Sequence, residues 1–426
     1  MSDFGEYSNE DLKSVFFDSA DILKQIREDA RMGMLAPWSL FGSVLTFAMA
    51  NIPPEYQIPR IVGTTPGSLN FFTAQVGDPG GGKGLADNAG RQLIGCPMEI
   101  HPASGEGLAR VFHVEDDVED DKEPNRQAIA TFPEVKSLIA TSTRGGSTIM
   151  GQLTKAWSGE ALGQQTSDRS RTYNVPWLGY RFCMTVGVQP EAAGPIFAQE
   201  GTGLPQRFLW VHTEDEHAEI APRADRQRYR PERYELAGLT IGQVHYPGVA
   251  WDIAESARRA RLLRKTRRID GHALMTRLKL AAGIAYLMGT TSKELANSVD
   301  LDVTDFVWDL SGIAMEVSNR TRARCQADMS RYAAEQEREA GVRRGNVLAH
   351  QGESQRTTEA EIFEAKKAKA LSFINDTSER VTPRDIGRKF GWRNNVTGPV
   401  CQSLLDDGLI EEQPSGRTSY LVQVPR

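Results

Sequence analysis

One stretch constrains this chain more than any other: Asn70-Phe-Phe-Thr-Ala-Gln-Val-Gly-Asp-Pro-Gly-Gly-Gly-Lys-Gly84. The apolar run Phe71 to Val76 reads as a strand, and Leu85 to Leu93 is competent to form a helix. Between them Gly77, Asp78, Pro79, Gly80, Gly81, Gly82 and Lys83 have the spacing G-x-x-x-x-G-K. Glycines let successive backbone N–H groups turn inward around an anion, the following helix adds its positive end, and a lysine reaches the outer phosphates. The stretch predicts nucleotide binding through Gly77 to Lys83, with Gly84 and Leu85 in the first helical turn. Where a serine or threonine would offer a hydroxyl to Mg²⁺, Gly84 stands, so the residues argue for phosphate more than for metal. A glycine-rich turn that holds no ligand is the plain alternative.

The chain has 426 residues, enough for two or three domains. Its apolar and charged fractions, 39% and 25%, are those of an ordinary globular protein. The longest apolar run, Trp38 to Ala50, is too short and interrupted for a membrane span. Met1-Ser-Asp-Phe-Gly-Glu lacks the regions of a signal peptide. Cys96, Cys183, Cys325 and Cys401 lie far apart, and the seven histidines are scattered. No disulfide framework or metal cluster is predicted, and the expectation is a reducing, cytoplasmic setting without a membrane. A net charge of -6 requires any DNA contact to be local.

In chain order, residues 1–60 read as an N-terminal helical segment: an amphipathic stretch from Asn9 to about Met32, then an apolar helix over 36–52. Residues 61–215 alternate strands with helices, which predicts a mostly parallel α/β sheet. Its later strands are Pro97–His101, Gln127–Val135, Arg181–Gln189 and a run ending at Val211, with a helix from Arg144 to Ser158. Glu134 ends one strand about fifty residues after Lys83, where an acid could polarise water, though a surface acid reads the same way. Phe132-Pro133 occupies the place where an Asp for Mg²⁺ would be expected. Gln189 ends another strand and could sense a phosphate. Arg207, between a Gly/Pro turn and a strand, could act on a neighbouring subunit's nucleotide or pin a carboxylate in its own.

Residues 115–123 hold seven acids in nine positions and read as a solvated loop. Residues 214–248 and 340–358 read as linkers around a helical region, 250–340. Within that region Arg258 to Arg268 carries seven basic residues in eleven: a solvated helix face, or a contact with DNA or a neighbouring subunit. Residues 359–426 have the layout of a winged helix, with helices over 359–375, 383–390 and 395–407 and strands over 409–413 and 418–423. Arg393, Asn394, Asn395 and Thr397 would open the recognition helix and Arg417 would stand on the wing, although many such domains bind protein instead.

Several segments together resemble a known family. They are Pro66–Asn70, Lys83-Gly84, Ser104–Gly107, Pro133-Glu134, Arg144–Thr148, Ala156–Gly163, Tyr180–Phe182, Gly187–Glu191, Leu204–Trp210 and Thr276–Ala282. The resemblance, over roughly 35–320, is to the primase-associated, helicase-like P-loop ATPases of bacteriophages and actinobacterial integrative elements. That family is AAA+-like and similar to superfamily 3 helicases. It implies ATP with Mg²⁺, Glu134 as catalytic acid/base, Gln189 as sensor, Arg207 as arginine finger and Arg277 as second sensor. It also implies tolerance of Gly84, a homo-oligomeric (hexameric) ring, and a separate primase. The expectation is therefore an ATP-driven DNA helicase or translocase of a phage or mobile element. A nucleotide-switched DNA-binding regulator, or a helicase loader with weak ATPase, is the alternative.

Overall fold

The computed structural model describes residues 4–113, 125–136, 138, 148–164, 172–265, 271–293, 298–377, 380–415 and 418–424. They form two units, Met1–Ala333 and Ala334–Arg426.

The first unit is α/β. Its strands as far as His212, in chain order, are β1 (Phe72–Val76), β2 (Glu99–Ile100), β3 (Gln127–Phe132), β4 (Leu162–Gln164), β5 (Tyr173–Val175), β6 (Arg181–Val188) and β7 (Phe208–His212); Val244–His245, Thr291–Ser292 and Asp300–Asp302 form a small separate sheet. β4 and β5 pair antiparallel with each other. The other five build one sheet in the order β2-β3-β6-β1-β7, and every pair is parallel. The central β1 and β6 are buried along their whole length, as a parallel sheet covered on both faces requires. Alternation divides their side chains. Phe72, Ala74, Phe182, Met184, Val186, Phe208 and Trp210 enter one apolar core, whereas Cys183, Leu209 and Val211 enter the other.

The second of these cores is closed by the helix Pro37–Ala50, in which every residue is buried and proline takes the first turn. A Cβ on Gly42 would meet Val211 at 2.9 Å and Thr73 at 3.0 Å, so that glycine sets how closely helix and sheet approach. The contact also holds a polar chain. Ser39 donates to Gln75 Oε1 (2.8 Å), Gln75 Nε2 to Asp87 Oδ1 (2.8 Å), Ser43 to Asp87 Oδ1 (2.7 Å) and Thr185 to Asp87 Oδ2 (2.9 Å).

Burial raises the Asp87 carboxyl to about 6, against the lowering effect of its bonds from Ser43 and Thr185. A raised carboxyl stabilises the fold most when protonated, below its unfolded value, and that contribution is lost as pH rises to about 6. Asp87→Asn should flatten this dependence. Wild-type stability relative to the variant is expected to fall by about 2 kcal/mol from pH 4 to pH 7, read by urea melts; a pH-independent difference would refute the assignment.

Several expectations need correction. The lead-in from Asn9 is two helices, Asn9–Phe17 and Asp21–Gly33, the first capped by Ser8 in a capping box. Residues 214–248 are not a free linker. They contain the helix Arg223–Arg228 and the strand Val244–His245, and the hydroxyls of Tyr229 and Tyr234 both donate to Asp29. The linker expected at 340–358 is helical, within a helix running Asp305–Asp376. The acidic run 115–123 and residues 144–147 lie outside the described residues.

The second unit contains the helices Pro383–Phe390 and Asn394–Asp406 and the antiparallel strands Ile410–Ser415 and Thr418–Gln423. Thr382 caps the first of these helices in a capping box with Asp385, and Ile386, Val400, Leu404, Ile410 and Leu421 share a small core. No single helix among the described residues is long and apolar enough to cross a membrane. The pair Asp21–Gly33 and Pro37–Ala50 passes that test only together, with a 119° bend between them.

Candidate functional site

The glycine-rich turn leaves the carboxyl end of β1, at the middle of the sheet. Val76 pairs with Val188 on one side and His212 on the other, so Gly77, Gln189 and Thr213 step off the sheet side by side. Gly77 N–H donates to Val188 O (3.1 Å) and Thr213 N–H to Val76 O (2.8 Å). Phe132 pairs with Val186, which brings Pro133 and Glu134 to the same edge. The carboxyl edge of an open parallel sheet is where such folds bind ligands.

Local chemistry shapes the turn. Gly80 (φ 81°) and Gly82 (φ 88°) occupy the left-handed region that favours glycine, and Gly82 caps the helix Lys83–Ile94. A Cβ on Gly77 would stand 1.9 Å from Thr213 Oγ1, so only glycine admits this close approach of the Thr213 side chain to the turn. Gly187 meets the next strand in the same way: a Cβ there would be 2.1 Å from Pro133 O and 3.1 Å from Lys83 Cδ. Lys83 is buried, and its Nζ donates to Gly77 O and Asp78 O, both at 2.7 Å. Burial lowers its ammonium pKa, while the charges of Asp78, Glu134 and Glu214 oppose that shift.

Two buried oxygens at this edge, Gln189 Oε1 and Thr213 Oγ1, have no hydrogen-bond partner among the described residues. Glu134 is exposed, and Gly84 and Leu85 face open space at the helix start. A cavity of about 450 Å³ adjoins Gly77 and Asp78. Its walls include Lys13, His212, Glu214, Asp215, Arg320 and Arg324, and its volume suits a small-molecule ligand. Lys13 is held by Glu10 and Asp215, and Arg324 by Glu214 at 3.3 Å.

No protein-family model matches the chain, and no curated protein matches it. The geometry therefore carries the functional reading.

Turn glycines, the Lys83 ammonium and the free hydroxyl of Thr213, which can donate, suit a phosphate chain, whereas Gln189 Oε1 only accepts and suits a water or a cation beside it. No group of three or more His, Cys, Asp or Glu side chains among the described residues is arranged to hold a metal ion. With glycine at position 84, side-chain ligands for Mg²⁺ are sparse here.

Two expected members of the site lie elsewhere. Phe208 pairs with Phe72, so Arg207 stands at the opposite, amino edge of the sheet from Gly77. It is 5% exposed, donates to Thr202 O (2.6 Å) and lies over the Trp157 ring at 5.3 Å. It thus holds a carbonyl and an indole face of its own subunit, and reaching a neighbour's phosphate would require its release. Its neighbours include two further buried cations. Arg181 donates to the carbonyls of Ile52, Pro53 and Tyr56, and Lys279 to those of Asn70 and Trp157. Arg207→Ala is expected to destabilise the fold by about 2–4 kcal/mol, measured by urea melts; an exposed finger would change stability by about 0.5 kcal/mol or less.

Arg277 is likewise not brought to the turn. Its guanidinium stacks 3.9 Å from the Trp308 ring and donates to Trp308 O and Ser311 Oγ. The adjoining Thr276 donates to Gln206 O, again at the amino edge. Burial lowers Arg277 to about 10. In the second unit Arg393, Asn394 and Asn395 are exposed at the start of Asn394–Asp406, whereas Thr397 is buried and donates to Arg393 O, so it is no candidate for a contact. Arg417 lies outside the described residues.

Sequence reasoning missed Thr213 and Glu214. Their signal was the end of the strand at His212, but only the register with β1 shows that this end meets the glycine turn.

Proposed function

We propose that the chain is a P-loop ATPase with an AAA+-like core and a C-terminal winged helix. It hydrolyses ATP to move on DNA, as a replicative helicase or helicase-like initiator of a phage or mobile element. The observation that carries the reading is Lys83, buried in a glycine turn at the carboxyl end of the central strand, with Glu134 and Gln189 at the same edge. Backbone N–H groups of residues 77–84 bind the phosphates and Lys83 neutralises the outer pair. Glu134 takes the proton of the attacking water, and Gln189 orients that water or the γ-phosphate. Mg²⁺, if bound with the nucleotide, would supply charge neutralisation.

The resemblance adds a homo-oligomeric, hexameric ring and a separate primase. Arg393, Asn394 and Asn395 are the DNA-contacting candidates of the winged helix. A second reading, a nucleotide-switched DNA-binding regulator or loader with weak ATPase, is favoured by the absence of a hydroxyl at Gly84 and of an Asp beside Glu134. Steady-state ATP hydrolysis with and without single-stranded DNA separates the two. A motor is stimulated by DNA and unwinds a fork, whereas slow turnover indifferent to DNA supports the switch.

A further inference from the structure

The phosphate site leaves one prominent sequence feature unused, the basic run that begins at Arg258. In the structure this run borders a groove of about 360 Å³. The loop 58–67 forms one wall, and the helix Gly248–Leu262 forms another through Ala254, Ala257, Arg258 and Arg261. These four positions fall on one helical face. Leu274 and Met275 close the floor, and Trp177 stands on the rim.

Four features distinguish this groove from a solvated helix face. Trp177 is half-exposed, whereas Trp38, Trp157, Trp210 and Trp308 are buried. Among the described residues, no acidic side chain lines the groove. Arg258, Arg259, Arg264 and Lys265 are exposed, although the chain as a whole is acidic. Finally, Leu178 (φ 56°) and Arg264 (φ 53°) are two of the three non-glycine residues held in the left-handed region among the described residues. One fixes the backbone beside Trp177, where Leu178 N–H donates to Gly159 O (2.9 Å), and the other lies in the basic run. Such strain persists where the surrounding structure enforces it, often at sites of binding.

We propose that this groove binds single-stranded DNA, with a base stacked on Trp177 and the backbone phosphates met by Arg258 and Arg261, with Arg264 and Lys265 beyond them. An aromatic platform beside a basic track is the general chemistry of single-strand binding. Ile58 pairs with Gly67 ahead of β1, which puts the groove towards the amino edge of the sheet, apart from the glycine turn. The proposal rests on the motor reading only for its choice of DNA over RNA.

The test is fluorescence anisotropy of a labelled oligo(dT) on the full chain without nucleotide, over a salt series. Trp177→Ala is expected to weaken binding about tenfold and Trp177→Phe to restore most of it. Arg258→Ala with Arg261→Ala should lower the slope of log affinity against log salt by about 1.4, or 0.7 per lost phosphate contact. Basal ATP hydrolysis and melting temperature should be unchanged in all three variants. Wild-type affinity and slope in these variants, no binding by the wild type, or equal binding of an oligo(U) would each overturn the proposal. Loss of the motor reading has a different signature: no ATP turnover by a protein whose single-strand binding still depends on Trp177.

Discussion

Replacing Lys83 by alanine is expected to weaken nucleotide binding by about 100-fold or more and to reduce turnover by about 10³-fold. The ammonium is buried against Gly77 O and Asp78 O at the centre of the turn, in the position from which it would reach phosphate oxygens. Asp78, Glu134 and Glu214 all act on its charge, so its removal leaves their negative charge at the turn opposed by the exposed Arg324–Glu214 pair. Titration with a fluorescent ATP analogue and a thermal melt of the same sample check this. A folded Lys83→Ala protein that binds ATP as the wild type does would remove the phosphate site from this turn.

Glu134→Gln should separate binding from chemistry. The amide keeps the shape of the side chain but accepts no proton, so turnover is expected to fall by about 10²–10⁴-fold. ATP affinity should stay within about twofold, since the group is not required for ground-state phosphate contact. Glu134 owes its place to the contact between Gly187 and the Pro133 carbonyl, which leaves no room for a Cβ. Single-turnover hydrolysis alongside equilibrium binding measures both quantities. Equal turnover in the variant would assign the proton transfer elsewhere, with Glu214, reached through the register of β7, the next acid to replace.

What could be read from the sequence follows the range of the interactions involved. The strand, turn and helix around Gly77–Lys83 rest on local chemistry, namely an apolar run, glycines at positive φ and a helix start, and the structure places them within a residue or two of expectation. The helix from Pro383 is equally local, since Thr382 and Asp385 announce its cap. The partners of Arg207 and Arg277 were not legible. Trp157 and Trp308 lie 50 and 31 residues away in the chain, and only packing selects them. Residues 214–248 look like a linker because they are polar and proline-rich, but Tyr229 and Tyr234 find an aspartate in a helix about 200 residues earlier. Composition cannot report such a pairing.

The wholly buried helix Pro37–Ala50 also sets the order in which the protein can be made. It packs on Thr73 of β1, on Val211 of β7 and, through Leu45 and Met49, on Gly283 of the helix Gly271–Met288, which is synthesised more than 230 residues later. At about 5–20 residues per second, the ribosome exposes the most apolar segment of the chain for on the order of 10–50 s before its last partner exists. Newly made protein should therefore depend on holdase chaperones during synthesis, and refolding from denaturant should be slow and limited by concentration.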